Sequence, residues 1–203
     1  AIAVQNLIQG VIKKNNLPEG LFSLIVGKGS IVGEKLINDK RIPLVSITGS
    51  TAIGRHAAEV IAARFGRAIL ELGGNNAIIL TPDADLKIAI PAIVFGAVGT
   101  AGQRCTSTRR LIIHESIYDK VKTSLVKAYK SLKIGDPLSS ENHVGPLIDK
   151  GAVQEFVSAL KEVKKEGGTI LFGGKVLTGE NYKSECYVQP ALVEALNSFK
   201  IVQ

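Results

Sequence analysis

The chain has 203 residues, of which 45% are hydrophobic, a proportion that is ordinary for a globular core. Its apolar runs stay below the roughly 18 residues needed to cross a bilayer, so the sequence predicts no membrane span and no membrane partner. The formal net charge of +7 comes from scattered lysines and arginines without interleaved aromatic residues. A solvated charged surface is therefore expected rather than a nucleic-acid interface.

The cysteine and methionine content indicates the cellular compartment and whether the sequence is part of a longer protein. Cys105 and Cys186 lie far apart, which predicts neither a disulfide framework nor a metal site and indicates a reducing compartment, for which we expect the cytoplasm. The three histidines lack metal-ligand spacing, so no metal is expected. No methionine is present, even at position 1, which is typical of an internal piece of a longer protein or a processed form. Organellar targeting by a missing N-terminus is left open.

The first third of the chain alternates predicted helices and strands. In chain order, the predicted elements are a helix over 1–14, a strand over 21–26, a helix over 30–38, a strand over 43–48, a helix ending near residue 65 and a strand over 68–72. Strands separated by helices of this length predict βαβ units and a parallel sheet. The expected fold class is therefore α/β.

The rest of the chain has a different character. The pattern predicts a strand over 77–80, a buried helix over 86–98, a strand over 109–114, a helix capped by Ser116, a helix over 153–163, and strands over 170–172 and 187–193. We place a domain boundary just after Gly74, which divides the chain into 1–74 and 75–203.

A glycine-rich turn follows the strand predicted over 43–48. Residues 49–54 read Gly-Ser-Thr-Ala-Ile-Gly and open a helix, so backbone N–H groups and the helix dipole would face a pyrophosphate there. Ser50 adds a hydroxyl donor. Gly27 and Gly29 form a second such segment, although neither segment matches the G-x-G-x-x-G dinucleotide pattern. Taken alone, each is also compatible with an ordinary turn.

A thiol and a carboxylate are the strongest catalytic candidates. Cys105 follows an apolar helical run in a glycine-containing turn, and the neighbouring Arg104 would favour the thiolate. Glu71 ends an apolar strand upstream, where a carboxylate could serve as a general base. An inert buried thiol at Cys105 and a salt-bridged carboxylate at Glu71 are the structural alternatives.

Three segments, Ile47–Thr51, Glu71–Asn76 and Ala97–Thr106, resemble the aldehyde dehydrogenase superfamily. The last two are most similar to its antiquitin branch, the α-aminoadipate semialdehyde dehydrogenases. The resemblance implies part of a modified Rossmann NAD-binding domain over 1–74, followed by part of an α/β catalytic domain over 75–203. It implies NAD as the cofactor and a small aldehyde as the substrate.

The resemblance also implies a role for each matched residue. Cys105 would add to the aldehyde, with its own N–H donating to the oxyanion, and Glu71 would activate the water that hydrolyses the thioester. Arg104 would anchor a substrate carboxylate, with Thr106 beside it; the alternative is that Arg104 tunes the thiol or pairs with a surface acid. The implied cofactor contacts are Gly27, Gly49, Ser50, Ile53, Gly54, Leu72 and Gly73.

Several parts of the family pattern lie outside this sequence. These are the ribose-binding Lys, the Asn that serves as a second oxyanion donor, the Glu-x-Phe-x-Pro motif and the oligomerisation hairpin. The resemblance implies a homo-dimer or homo-tetramer for the longer protein, and an exposed sheet edge and little activity for this chain alone. Three alternatives stay open: an acylating dehydrogenase that uses coenzyme A, which Glu71 argues against, a non-catalytic truncated product, and another class of aldehyde substrate.

Overall fold

A computed structural model describes all of residues 1–203, which form two compact units, Ala1–Leu72 and Gly73–Gln203. The division between them lies next to the boundary expected after Gly74. None of the six α-helices combines the length and the apolar composition needed to cross a membrane.

The first unit is built around one βαβ motif. Its elements are α1 (Ile2–Lys14), a π-helical turn (Gly29–Gly33), α2 (Glu34–Asn38), β1 (Leu44–Gly49), α3 (Thr51–Ala63) and β2 (Arg67–Leu72). Strands β1 and β2 pair in parallel, as predicted, and their carboxyl ends meet where Gly49 lies opposite Leu72. The core beneath them consists of Ile37, Val45, Ala57 and Ile61.

The second unit contains a second parallel pair and an antiparallel one. Its elements are β3 (Asn76–Leu80), α4 (Leu86–Val98), β4 (Thr108–Ile113), α5 (Tyr118–Lys130), α6 (Lys150–Lys165), β5 (Thr169–Phe172) and β6 (Leu192–Glu194), with 3-10 turns at Gly99–Gly102, Glu115–Ile117, Glu180–Tyr182 and Lys200–Val202. Strands β3 and β4 are parallel, and β5 and β6 are antiparallel. The mixed helix and strand content confirms the predicted α/β class.

The core of the second unit explains the helical spacing of α5. Val121 and Leu125 are almost fully buried and pack with Leu80 of β3 and Ile93 of α4. Residues four apart lie on one face of a helix, so the sequence pattern identified the buried face of α5 correctly. Leu111 and Ile113 of β4 pack against the same cluster, so α4, α5 and the β3–β4 pair share one core.

The strand predicted over 21–26 does not form. This segment is irregular and its apolar side chains are exposed, with Ile25 at 68% and Val26 at 70%. A β-strand needs a neighbour for its backbone hydrogen bonds, and here the carbonyl of Phe22 instead accepts bonds from Gln5 Nε2 and Gln9 Nε2, each at 2.9 Å. Two glutamine side chains of α1 therefore supply the hydrogen bonds that a partner strand would have given to this carbonyl.

Three further predictions are corrected. Helix α4 is not buried all round, because only one face packs and Ile88 and Phe95 remain about 70% exposed. Ser116 does not cap α5; the ring of His114 accepts from the Ser116 N–H and caps the preceding 3-10 turn. The strand predicted over 187–193 shrinks to β6, and its first half contributes only the isolated bridge at Val188.

Candidate functional site

The turn after β1 has the local structure expected of an anion-binding helix start. Ser50 is the N-cap of α3, and its hydroxyl oxygen accepts a bond of 3.2 Å from the Ile53 N–H. This cap satisfies one of the free N–H groups of the first turn and fixes the direction of the chain as it leaves the sheet. The Ser50 hydroxyl proton remains free to donate. The side chain of Ile53 is exposed beside it.

The glycines of this turn differ in whether the packing of the chain leaves room for a Cβ atom. A Cβ on Gly54 would lie 2.5 Å from two carbons of Leu72, so Gly54 is needed for close packing of α3 on β2. A Cβ on Gly49 would make only an ordinary contact of 3.6 Å with Ile53, and one on Gly73 would meet nothing. The packing inside the chain therefore leaves open space over Gly49 and Gly73, which is the space that a ligand approaching the backbone requires.

Gly27 does not follow a strand, because the strand predicted over 21–26 does not form. A Cβ there would fall 2.3 Å from Cγ2 of Val32, so the residue is glycine to admit the side chain of Val32. This intramolecular contact accounts for Gly27 without a cofactor. A concavity of about 520 Å³ nearby is lined by Ile25, Val32, Lys35, Leu36, Asp39, Arg41 and Ile42, and contains none of the predicted site residues.

Glu71 is an exposed carboxylate near the end of β2. It lies opposite Thr48 in the parallel register, at the same carboxyl edge as the Gly49–Ser50 turn. None of the ion pairs in the chain includes the Glu71 carboxylate. Glu71 belongs to the first unit and Cys105 to the second.

Cys105 is an exposed free thiol in a tight turn between the 3-10 turn after α4 and strand β4. The turn is closed twice, because the Ser107 N–H donates to the Arg104 carbonyl and the Arg104 N–H donates to Ser107 Oγ, both at 3.1 Å. Ser107 is 1% exposed, so this closure is buried under the thiol. The alternative of an inert buried thiol applies to Cys186, which is buried, and not to Cys105.

The backbone just before this turn is left-handed. Thr100, Ala101 and Gly102 have φ values of 55°, 53° and 71°. Left-handed backbone is unfavourable for side chains with a Cβ, and it persists only where the surroundings hold it. The strain therefore lies at Thr100 and Ala101, four and three residues before Arg104, because a glycine such as Gly102 adopts positive φ without it.

The side chain of Arg104 lies along α4. Its Nη2 donates to the carbonyl of Phe95 at 2.9 Å, and the guanidinium carbon stands 5.0 Å from the centre of the Phe95 ring. A Cβ on Gly99 would come within 2.7 Å of Nη2, so Gly99 makes room for this arrangement. No ion pair in the chain includes Arg104, and its Nε–H is buried without an acceptor.

Asn76 contacts the turn that carries Cys105, a role that the sequence does not predict. Its Nδ2 donates to the Cys105 carbonyl at 2.8 Å and to the Ser107 carbonyl at 3.1 Å. These partners lie 29 and 31 residues away in the sequence, so no local pattern announces the contact. The only available signal was its position in the Glu71–Asn76 segment, at the start of a strand.

Comparison with known proteins identifies the family of the chain. The chain matches the aldehyde dehydrogenase family over residues 2–203. It is 47% identical over 197 residues to the alpha-aminoadipic semialdehyde dehydrogenase of Bos taurus, covering 97% of this chain and 36% of that protein. It is 45% identical to aldehyde dehydrogenase family 7 member A1 of Malus domestica, covering 100% of this chain and 39% of that protein.

A solved structure is also similar. Betaine aldehyde dehydrogenase from Staphylococcus aureus, in complex with NAD+, superimposes with a TM-score of 0.91 at 31% identity, covering 97% of this chain and 39% of that one. The chain thus spans well under half of the length of these relatives. The family match extends over nearly all of its residues, and the chain belongs to the aldehyde dehydrogenase family.

Proposed function

We propose that this chain carries the thiol and part of the cofactor site of an NAD-dependent enzyme that oxidises an aldehyde to a carboxylate. The observation that carries the proposal is the exposed Cys105 in a turn whose Cys105 and Thr106 N–H groups donate to no acceptor in the chain. A nucleophile next to free backbone donors is what attack on a carbonyl requires. In this proposal the first unit is part of the NAD-binding domain and the second is part of the catalytic domain.

The first unit fits NAD at the carboxyl edge of its sheet. Gly49, Ser50 and the first turn of α3 offer N–H groups, one hydroxyl proton and the positive end of a 13-residue helix to a pyrophosphate. Exposed Ile53 offers an apolar surface, while Leu72 and Gly73 flank the same edge. Gly54 supports this site by packing against Leu72, whereas Gly27 packs against Val32, outside the site. When bound, NAD supplies the hydride acceptor.

Each reacting residue then has one task. The Cys105 thiolate adds to the aldehyde carbon, and the oxyanion that forms accepts the Cys105 N–H. After hydride loss the carbon remains bonded to Sγ as a thioester. Glu71 takes a proton from water, whose oxygen attacks the thioester carbon and releases the carboxylate and the thiol. An unpaired, exposed Glu71 is available for this task, and a coenzyme A-dependent enzyme would not need it.

Arg104 supports a substrate that carries a carboxylate, of which α-aminoadipate semialdehyde is our choice. No ion pair in the chain includes the guanidinium, so a substrate carboxylate would be its first anionic partner. Thr106 adds an exposed hydroxyl two positions along. The Bos taurus relative is named for this semialdehyde, which supports the choice.

Assembly and location are part of the same proposal. The two-stranded sheets leave strand edges without a partner, and we propose that the longer protein forms a homo-dimer or homo-tetramer through such an edge. Two free thiols and no disulfide agree with a reducing compartment, for which we retain the cytoplasm.

The test is a graft. The segment of the Bos taurus relative that matches this chain is replaced by the chain, and NADH formation is measured with α-aminoadipate semialdehyde and with simple aliphatic aldehydes. We expect turnover of both, with preference for the semialdehyde, and Arg104→Ala should remove that preference alone. A graft that folds and binds NAD but forms no NADH would contradict the function. Equal use of all aldehydes before and after Arg104→Ala would contradict the substrate.

A further inference from the structure

We propose that Asn76 is a positioning residue for the reaction at Cys105, an inference that rests on the proposed role of Cys105 as nucleophile. Its amide group holds the two carbonyls on either side of the turn and thereby directs the N–H groups of Cys105 and Thr106 toward the site where the oxyanion forms. Asn76 does not touch the substrate; it acts through the backbone of the thiol turn.

The contact is a two-pronged clamp. Nδ2 of Asn76 donates both of its protons, one to the Cys105 carbonyl at 2.8 Å and one to the Ser107 carbonyl at 3.1 Å. Both partners are acceptors only, so the NH₂ end of the amide must face them, which fixes the orientation of the side chain. Strand β3 therefore fixes the turn that carries Cys105 through the single side chain of Asn76.

The direction of the free N–H groups follows from peptide geometry. In a trans peptide the C=O and N–H point to opposite sides of the chain. The Cys105 carbonyl points at Asn76, so the Thr106 N–H of the same peptide points away from it. The Arg104 carbonyl points into the turn at the Ser107 N–H, so the Cys105 N–H points out of the turn. Neither outward N–H has an acceptor in the chain.

The surroundings of Asn76 are adapted to this role. A Cβ on Gly74 would lie 2.8 Å from Asn76 Oδ1, so the glycine leaves room for the amide to turn toward the loop. The register of β3 and β4 shifts by one residue just after Asn76: Asn76 pairs with Thr108, whereas Ala77 pairs with Arg110. Irregularities of this kind re-aim side chains next to functional sites.

The experiment separates oxyanion stabilisation from simple access to the thiol. Acylation of Cys105 by p-nitrophenyl acetate passes through a tetrahedral oxyanion: Sγ bonds to the acetyl carbon and p-nitrophenolate leaves. Alkylation by iodoacetamide is a displacement at an sp³ carbon with iodide as the leaving group, and it forms no oxyanion. Both rates are measured on the 203-residue chain by peptide mass, with buried Cys186 as an internal reporter of unfolding.

Three variants define the role. In Asn76→Ala the clamp is lost, and in Asn76→Asp the shape is kept but the donor is replaced by an acceptor that repels both carbonyls. We expect each to slow acylation about 10- to 100-fold, the range of a misplaced oxyanion donor, while alkylation changes less than about twofold. The control is Asn75→Ala, since Asn75 Nδ2 bonds to the carbonyls of Val202 and Gln203 instead, and neither rate should change.

Three results would overturn the inference. Equal slowing of acylation and alkylation, or labelling of Cys186, would mean that Asn76 only stabilises the fold. Unchanged acylation in Asn76→Asp would mean that its donor is not used. No acylation of the unsubstituted chain would mean that the outward N–H groups do not stabilise an oxyanion. Failure of the proposed function would appear elsewhere, as absent NADH formation in the graft, an assay that does not enter this comparison.

Discussion

The two units hold their functional turns by different means. In the first unit the turn after β1 is fixed locally: Ser50 caps α3 through a bond to a residue three positions away, and Gly54 packs under Leu72 of the adjacent strand. In the second unit the thiol turn is fixed at a distance, by Asn76, which is 29 residues from Cys105 in the sequence. Left-handed backbone at Thr100 and Ala101 adds strain that the first turn lacks.

This difference matches the different function proposed for each turn. A turn that binds a large cofactor through backbone groups can rely on the regular geometry of a strand end and a helix start. A turn that presents a nucleophile together with N–H donors needs a more exact backbone direction, which the second unit obtains from long-range side-chain bonds. The following predictions test whether the two turns are independent and whether each depends on the contacts named here.

The largest expected effect is that of removing the thiol. In the graft, Cys105→Ala should lower kcat by about 10⁴-fold or more, as loss of a catalytic nucleophile does, and NAD binding should be unchanged because the cofactor turn is in the other unit. Steady-state kinetics and NAD titration measure both. The control, Cys186→Ala, changes a buried thiol outside the turn. A comparable loss in that variant would break the assignment of Cys105.

The next largest expected effect comes from adding a side chain at Gly54, which should lower the stability of the first unit. Gly54→Val places a branched side chain where Leu72 already stands, and we expect a loss of about 2 kcal/mol in the free energy of unfolding. Adding Leu72→Ala to Gly54→Val should restore part of the lost stability. Gly49→Ala is the matched control, because its Cβ meets only an ordinary contact of 3.6 Å; it should change stability little but weaken NAD binding. Urea unfolding followed by circular dichroism provides the measurement.

Alkaline pH should destabilise the second unit selectively. Burial raises the pKa of Tyr129 to about 12, above the value of about 10 in an unfolded chain. The stability it contributes is therefore full below pH 10 and is lost as pH rises toward 12, by about 1.4 kcal/mol per pH unit. Urea unfolding at each pH is followed by far-ultraviolet circular dichroism, because ionisation of the four tyrosines, all in the second unit, would itself change their fluorescence.

The matched variant for this effect is Tyr129→Phe, which keeps the ring and its edge contact with Phe172. Its stability should fall less steeply between pH 10 and 12 than that of the unsubstituted chain. Tyr118 remains in both proteins and its pKa is also raised, to about 12, by burial and by its bond to Glu194, so it cancels in the difference. Identical slopes would contradict the prediction.

The smallest expected effect is loss of the helix cap. Ser50→Ala removes the acceptor for the Ile53 N–H and should lower the free energy of unfolding by about 1 kcal/mol. Ser50→Asn retains an acceptor and should recover most of it. The urea midpoint by circular dichroism measures the change. If Ser50→Ala instead lowered the acylation rate of Cys105, the two turns would be coupled and the comparison above would fail.

The sequence predicts correctly those parts of the fold that depend on local patterns. The βαβ motif of the first unit and the buried face of α5 follow from periodicity and turn residues, which are local. The segment over 21–26 failed because strand formation depends on a partner that an apolar run does not reveal. Asn76 and the path of Arg104 along α4 could not be derived either, since both depend on contacts that exist only after folding.

One measurement tests the central claim most directly: a pre-steady-state quench of the graft with excess NAD and α-aminoadipate semialdehyde, comparing the unsubstituted protein with Glu71→Gln. If Cys105 is acylated and Glu71 activates the water, Glu71→Gln will give a burst of one NADH per thiol and accumulate an acyl group on the Cys105 peptide, whereas the unsubstituted protein turns over without accumulating it. Equal turnover of both proteins, or a burst with no acyl group on Cys105, would contradict the account.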